Sequence, residues 1–207
     1  MIHVQILMKK GEGKTSVKRS FTLVETLVAI SIMMMVIVGP FDAIQNALTA
    51  SYISRDQLIG NSLAQEAIEY VIGIRDGAYL YNRMNSPSTP LTFLAGIDST
   101  TNSNLGNLNV DCIGHNCTVD PAASTPVAIC SGACNPLYVN SSTNLYNQSG
   151  SGLQSHFTRS IRLCYVGTGG SCGSTPTTEA KLTVTVSWTT EGRPYSTVLT
   201  EYLQSWL

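Results

Sequence analysis

Residues 21–41 read FTLVETLVAISIMMMVIVGPF, and Glu25 is the one ionisable side chain in this apolar run. About 20 helical residues span the roughly 30 Å hydrocarbon core of a bilayer, so the run is long enough to cross a membrane. A carboxylate inside such a segment costs on the order of 2.5–3.5 kcal/mol on insertion scales and normally finds a partner. Glu25 is therefore the first candidate functional residue.

The charges on the two sides of this run are unequal. Before it the chain has one acidic residue, Glu12, and five basic residues, which are Lys9, Lys10, Lys14, Lys18 and Arg19. From Phe21 onward seven basic and twelve acidic residues give a net charge of −5, so this part of the chain shows no basic nucleic-acid face and predicts no nucleic-acid contact of its own. Because basic flanks are retained in the cytoplasm, we expect a single-pass membrane protein with a cytoplasmic N-terminus and an extracytoplasmic C-terminus.

Two other interpretations of the run are disfavoured. A helix buried in the core of a soluble domain would need neither the length of this run nor the unequal charges on its two sides. A conventional secretory signal peptide has a shorter apolar region of about 7–15 residues and a cleavage site of small residues. The segment VGPFDAIQNALTA, residues 38–50, offers no clean pair of small residues at that spacing.

Apolar residues continue at helical spacing beyond the run, although Gly39 and Pro40 interrupt it and predict a kink. The stripe consists of Ile44, Leu48, Tyr52, Ile59, Leu63, Ala67, Tyr70 and Ile74. This pattern is typical of an amphipathic helix. We therefore expect one helix with a transmembrane half at 21–41 and an amphipathic outer half at 42–76, whose stripe needs a partner.

The C-terminal part of the chain, residues 157–207, supplies a partner for that stripe. The segments FTRSIRLCYV (157–166), AKLTVTVSWTT (180–190) and YSTVLTEYLQSW (195–206) alternate or read as strands, and EGRP marks a turn between the last two. Together they predict an antiparallel β-meander. The predicted fold is α+β, with the long N-terminal helix packed on an antiparallel sheet.

Residues 77–156 are rich in polar and turn-forming residues, so we expect a loop-rich variable region with short strands near Leu108–Ile113 and Pro126–Cys130. All six cysteines lie in the part expected outside the cytoplasm, which favours disulfides. The spacings indicate the pairs Cys112–Cys117, Cys130–Cys134 and Cys164–Cys172. Zinc binding is the alternative, because His115 lies between two cysteines, but the gaps differ from common zinc sites.

The sequence contains no convincing catalytic centre, metal site or cofactor motif. DSTTNSN (98–104) loosely resembles a calcium loop but lacks its central glycine and later glutamate, so a solvated turn is expected. GTGGSCG (167–173) lacks the lysine of a phosphate-binding loop. With three histidines in the chain and no nucleophile–base pair among its motifs, we expect a protein that is not an enzyme.

The basic leader, the stretch SFTLVETLVAI (20–30) and the long half-membrane helix together resemble the type IV prepilin family. That family includes major and minor pilins and the pseudopilins of type II secretion. The resemblance is specific over residues 18–42 and architectural to about 75, and it implies a type IV pilin-like fold. It also implies that residues 1–20 are a leader, which a membrane prepilin peptidase removes between Ser20 and Phe21 before N-methylation of Phe21. The family usually has glycine where this chain has Ser20.

Glu25 then has two interpretations. Thr22 and Glu25 fit a capping box at a helix N-terminus. In the family-like interpretation, Glu25 of one subunit pairs with the Phe21 amine of its neighbour in a filament. The partners implied are other pilin subunits through the N-terminal helix, the prepilin peptidase, an inner-membrane assembly platform and the lipid bilayer.

Two classes of function follow from these features. The favoured one is a structural subunit, a minor one, of a type IV pilus or pseudopilus that passes from the cell membrane to the pilus or cell surface. The loop-rich region with its cysteines suits a role at the surface or tip, in adhesion or DNA uptake. The alternative is a membrane-anchored extracytoplasmic binding or adhesion protein that never polymerises.

Overall fold

The structure is a computed structural model of the chain that describes residues 22–150 and 152–205. The leader 1–20, the cleavage site between Ser20 and Phe21, and the Phe21 amine lie outside these described residues. The chain divides into two compact units, one up to Ala47 and one from Leu48 onward.

One long helix and eight strands make up the described chain, together with 3₁₀ turns at Ser103–Leu105 and Thr168–Gly170. Helix α1 covers Leu23–Asn85 and contributes residues to both units. The strands are β1 (Cys117–Val119), β2 (Val127–Ile129), β3 (Pro136–Val139), β4 (Tyr146–Asn147), β5 (Leu153–Val166), β6 (Cys172–Gly173), β7 (Glu179–Thr190) and β8 (Arg193–Gln204). All ladders between these strands are antiparallel.

The described part of the first unit, residues 22–47, is the beginning of α1. Thr22 precedes the helix, and its Oγ1 accepts a hydrogen bond of 3.3 Å from the backbone N–H of Glu25. This bond satisfies one of the N–H groups that the first turn of a helix leaves without a partner. Pro40 lies within α1, and the helix continues past it.

In the second unit, α1 packs on the sheet whose longest strands are β5, β7 and β8. These three strands form the predicted meander, with Ile161 opposite Val184 and Val184 opposite Leu199. Glu191 and Gly192 both have positive φ and connect β7 to β8. Two such residues are what a two-residue hairpin loop with the twist of its strands requires. The second unit is therefore α+β, as the sequence predicts.

The core of the second unit lies between α1 and the inward face of this meander. Helix residues Leu63, Ala64, Ala67, Val71, Ile74 and Ala78 are buried. They face the buried positions of β5 and β7, which include Phe157, Ile161, Leu163, Leu182, Val184, Val186 and Trp188. Small residues on the helix allow its backbone to come close to the sheet. Gly60 is the tightest point, since a Cβ there would lie 2.7 Å from the ring of Trp188.

Several boundaries differ from the sequence prediction. α1 runs to Asn85, past the expected end near 76, because Ala78 still packs into the core. Of the predicted stripe, Ile44, Leu48 and Tyr52 are exposed, and burial begins further along the helix. β5 starts at Leu153, inside the region expected to be loop-rich.

The two short strands expected in the loop-rich region have different outcomes. β2 at Val127–Ile129 matches the strand expected near Pro126–Cys130. The strand expected near Leu108–Ile113 is wrong, because this segment forms isolated bridges from Leu108 to Asn102, from Asp111 to Asp98 and from Ile113 to Leu163. Its backbone therefore pairs with three different places, and no continuous ladder forms.

The close approach at Gly60 predicts opposite effects for two glycine substitutions in α1. Gly60→Ala should destabilise the protein by about 1–3 kcal/mol, because the new methyl group overpacks against Trp188. Gly73→Ala should stabilise it by about 0.5–1 kcal/mol, since nothing lies within 4 Å of its Cβ position and alanine favours the helix. Chemical denaturation of both variants tests this, and equal stability of the two would contradict the packing described.

Candidate functional site

The first part of α1 is an exposed apolar segment, residues 23–41. Its large apolar side chains are solvent-exposed, from 51% at Val28 to 80% at Met35. An exposed apolar surface of this extent marks a site of interaction with a membrane or with another protein. α1 is also the one described helix that is long and apolar enough to cross a membrane. The segment is consistent with a membrane anchor.

Glu25 is the carboxylate of this exposed apolar segment. It lies in the first turn of α1, with Leu23, Val24, Leu27 and Val28 exposed around it. The cap bond joins the backbone N–H of Glu25 to Oγ1 of Thr22 and does not involve the Glu25 carboxylate. Among the described residues, no basic group lies within 4.0 Å of this carboxylate. The Glu25 carboxylate can therefore accept a cation that the described chain does not supply.

All six cysteines form disulfides, in the same three pairs that the sequence spacings indicate. The Cys112–Cys117 pair lies in the core. The Cys164–Cys172 pair joins β5 to β6, and the Cys130–Cys134 pair closes the loop after β2. The cysteines beside His115 therefore present no thiolate for zinc. Within residues 22–150 and 152–205, no group of three or more His, Cys, Asp or Glu residues is arranged to hold a metal ion.

A buried arginine joins the helix to two parts of the sheet. Arg159 on β5 is fully buried. One of its terminal nitrogens donates to the backbone oxygen of Leu63 at 3.0 Å and to Oε2 of Glu66 at 2.6 Å. The other donates to the backbone oxygen of Val119 on β1 at 2.6 Å. Arginine stays protonated inside proteins, so Arg159 carries a buried positive charge. These three acceptors offset the free-energy cost of removing that charge from water.

Asp56 forms a second polar contact between α1 and the sheet. Thr190 at the end of β7 donates to Oδ2 of Asp56 at 2.7 Å, and Nε2 of His156 lies 3.3 Å from the same oxygen. Asp56 is buried, whereas His156 is exposed. The hydroxyl of Thr190 bonds to the carboxylate and not to the imidazole. Its role is to hold the helix on β5 and β7.

Asp98, the first residue of the DSTTNSN loop, accepts several hydrogen bonds that hold this loop in place. Its carboxylate accepts hydrogen bonds from Thr92, from Thr100 and from the hydroxyl of Tyr165, the last at 2.9 Å. Burial and the Asp98 charge raise the pKa of Tyr165, so this phenol remains a proton donor. The expected solvated turn is therefore partly buried, with Asp98 and Asn102 in the protein interior. Both carboxylate oxygens of Asp98 therefore already accept hydrogen bonds, and Oδ1 of Asn102 accepts one from the backbone N–H of Asn104.

Arg159 was not among the residues predicted from the sequence, although the sequence contains a signal for it. Alternation along FTRSIRLCYV places Arg159 on the same face as Phe157 and Ile161, which is the inward face. A basic residue at such a position indicates a buried acceptor set elsewhere in the chain. The two-residue alternation along this strand could therefore have predicted that Arg159 is buried, but it could not have identified the partners of Arg159.

The Arg159 contacts predict a strong effect on stability. Arg159→Met should lower the free energy of unfolding by about 1–3 kcal/mol, because buried backbone acceptors lose their donor. Arg162→Met, three positions further along β5, removes an exposed arginine and should change stability by no more than about 0.5 kcal/mol. Denaturant midpoints of the two variants measure the difference. Wild-type stability of Arg159→Met would show that apolar packing replaces the buried charge without loss.

Comparison with known proteins identifies no relative. No family model matches the chain, and neither a curated protein nor a solved structure matches it. The likeness to prepilins therefore depends on residues 18–42 of the sequence, and the function is argued from the features of this chain.

Proposed function

We propose that the chain is a structural subunit, a minor one, of a type IV pilus or a related pseudopilus. The observation that carries the proposal is the exposed apolar segment, in which a single carboxylate, Glu25, lies in the first turn of the helix. The basic leader precedes this segment, and the segment begins within the stretch SFTLVETLVAI (20–30), which resembles the processing site of prepilins.

The exposed apolar segment has two successive environments in this proposal. In the membrane, lipid covers its side chains. After removal of the leader before Phe21, the same side chains pack against those of neighbouring subunits. Each subunit then brings one cation, its Phe21 amine, and one carboxylate, Glu25. In a water-excluded filament core, an ion pair between neighbours satisfies both groups, whereas either charge alone is costly.

The second unit suits the extracytoplasmic location that the proposal requires. Disulfides persist in oxidising compartments, and this unit contains three of them. The basic residues before the exposed apolar segment favour a cytoplasmic N-terminus. The partners in the proposal are other subunits, the prepilin peptidase, an inner-membrane assembly platform and the lipid bilayer. The chain has a structural role and no enzymatic one.

A second function is favoured by Ser20. The prepilin family usually has glycine before the cut, and serine adds a side chain at that position. A chain that keeps its leader keeps a charged N-terminus in the cytoplasm. It would remain a membrane-anchored extracytoplasmic binding or adhesion protein and would not polymerise.

N-terminal sequencing of protein sheared from the cell surface distinguishes the two functions. The pilus proposal predicts a first residue Phe21 carrying an N-methyl group. A Ser20→Trp variant provides the control, because a bulky residue at the cut should leave the leader attached and keep the protein in the membrane. Surface protein that begins at Met1 would overturn the pilus proposal and support the anchored protein.

The exposed carboxylate predicts how Glu25 variants assemble. Glu25→Ala and Glu25→Gln both keep the backbone N–H that donates to Thr22, so the cap remains. Both should insert and be cleaved normally. Both should lose filament incorporation, because removal of one partner of a buried ion pair costs about 3–5 kcal/mol. Sheared surface fractions at equal membrane levels measure this, and wild-type assembly of Glu25→Gln would leave the Glu25 carboxylate without a role in the filament.

A further inference from the structure

The outward face of the meander has a cavity of about 310 Å³ that α1 does not line. Arg162 on β5 and Lys181 on β7 contribute the two charged side chains of its lining. Arg162 lies opposite Thr183, and Cys164 lies opposite Lys181, so the two cations are diagonal neighbours on adjacent strands. Such neighbours are about 7–8 Å apart, within reach of one small ligand.

Neither cation forms an ion pair within the part of the chain that the structure describes. Among the described residues, no carboxylate lies within 4.0 Å of Arg162 or Lys181. The nearest acidic residue along β7 is Glu179, which occupies the same face but does not line the cavity. Asp111 is close in sequence to Gly114, which lines the cavity, but Asp111 does not line it. Its Oδ2 lies 3.8 Å from Nδ1 of His115. Two adjacent like charges repel, and a bound anion would relieve that repulsion.

The rest of the lining adds donors and a rigid wall. The hydroxyls of Ser174 and Thr183 line the cavity. Neither hydroxyl is used in a hydrogen bond within the described chain. The disulfide between Cys164 and Cys172 forms one side and holds the segment that contains Ser174 against β5. A site held in its bound geometry loses less conformational entropy when the ligand enters.

We propose that this cavity, hereafter the Arg162–Lys181 cavity, binds a dianionic phosphate or sulfate group. Two cations and no carboxylate in the lining match a charge near −2, which a phosphate monoester carries at pH 7 and a single carboxylate does not. The guanidinium can donate two parallel hydrogen bonds to such a group, and the ammonium adds a point charge. The net charge of −5 from Phe21 onward disfavours a long polyanion, so one group on a small molecule fits better.

The site lies wholly in the second unit and does not depend on the proposed role of the exposed apolar segment. Lys181 provides a direct probe, because it is the only lysine after residue 20. The full chain in a non-ionic detergent is treated with an amine-reactive reagent, and modification of Lys181 is measured by peptide mass spectrometry. Inorganic phosphate and sulfate should slow the modification. Acetate and chloride at equal ionic strength should slow it much less.

Two arginine variants make the test specific. Arg162→Gln should raise the phosphate concentration needed for half-protection at least about tenfold, because the charge-assisted hydrogen bonds are lost. Arg193→Gln removes an exposed arginine that does not line the cavity and should leave protection unchanged. Thermal melting of both variants verifies that each is folded.

The source of the anion is distinguished by comparing inorganic phosphate with glycerol phosphate, with glycerol as the blank. Equal protection by the two phosphates indicates that the site binds the ion itself, and stronger protection by glycerol phosphate indicates a phosphate carried on an organic molecule. Absence of protection by either phosphate or by sulfate would overturn the proposal. Equal loss of protection in Arg162→Gln and Arg193→Gln, or protection by chloride equal to that by phosphate, would overturn it as well.

Discussion

The guanidinium of Arg159 is the contact on which the arrangement of the second unit depends. It is fully buried and bonds to α1, through Leu63 and Glu66, and to β1, through Val119. A charge that cannot be neutralised is tolerated in a core only where all these acceptors are in place. Translation of the helix by one turn would move the two acceptors that it contributes, the Leu63 oxygen and the Glu66 carboxylate, away from the charge. Apolar side chains alone can pack in many arrangements. The hydrogen bonds of Arg159 can form in only one arrangement of the helix on the sheet.

The polar contact at Asp56 reinforces this choice of position. Thr190 and His156 hold Asp56 near the beginning of the packed part of α1, and Arg159 holds the helix further along. Between them, Gly60 lets the backbone approach Trp188 more closely than any residue with a Cβ would allow. Two polar contacts and one close packing contact therefore determine the register of the helix on the sheet.

How much could be predicted depends on whether the interacting residues are close in sequence. Period two located β5, β7 and β8, and short spacings indicated the three cysteine pairs, because these patterns are local. The partners of Arg159 are 96, 93 and 40 positions away, so no local pattern could identify them. The burial of Asp98 depends likewise on Tyr165, 67 positions away. Glu25 was singled out because a single charge stands out in an apolar run, and its proposed partner, the Phe21 amine, lies outside the described residues.

The disulfides of this protein have a consequence for how the chain matures. Each joins cysteines separated by four, five or eight positions. Segments of about ten residues close in about 10–100 ns, far faster than oxidation of thiols, which takes seconds to hours. Each cysteine therefore meets its native partner most often even in an unfolded chain, and the native pairs are kinetically favoured among the fifteen possible pairings. Oxidation can thus proceed correctly before β8, the last strand in the chain, completes the sheet.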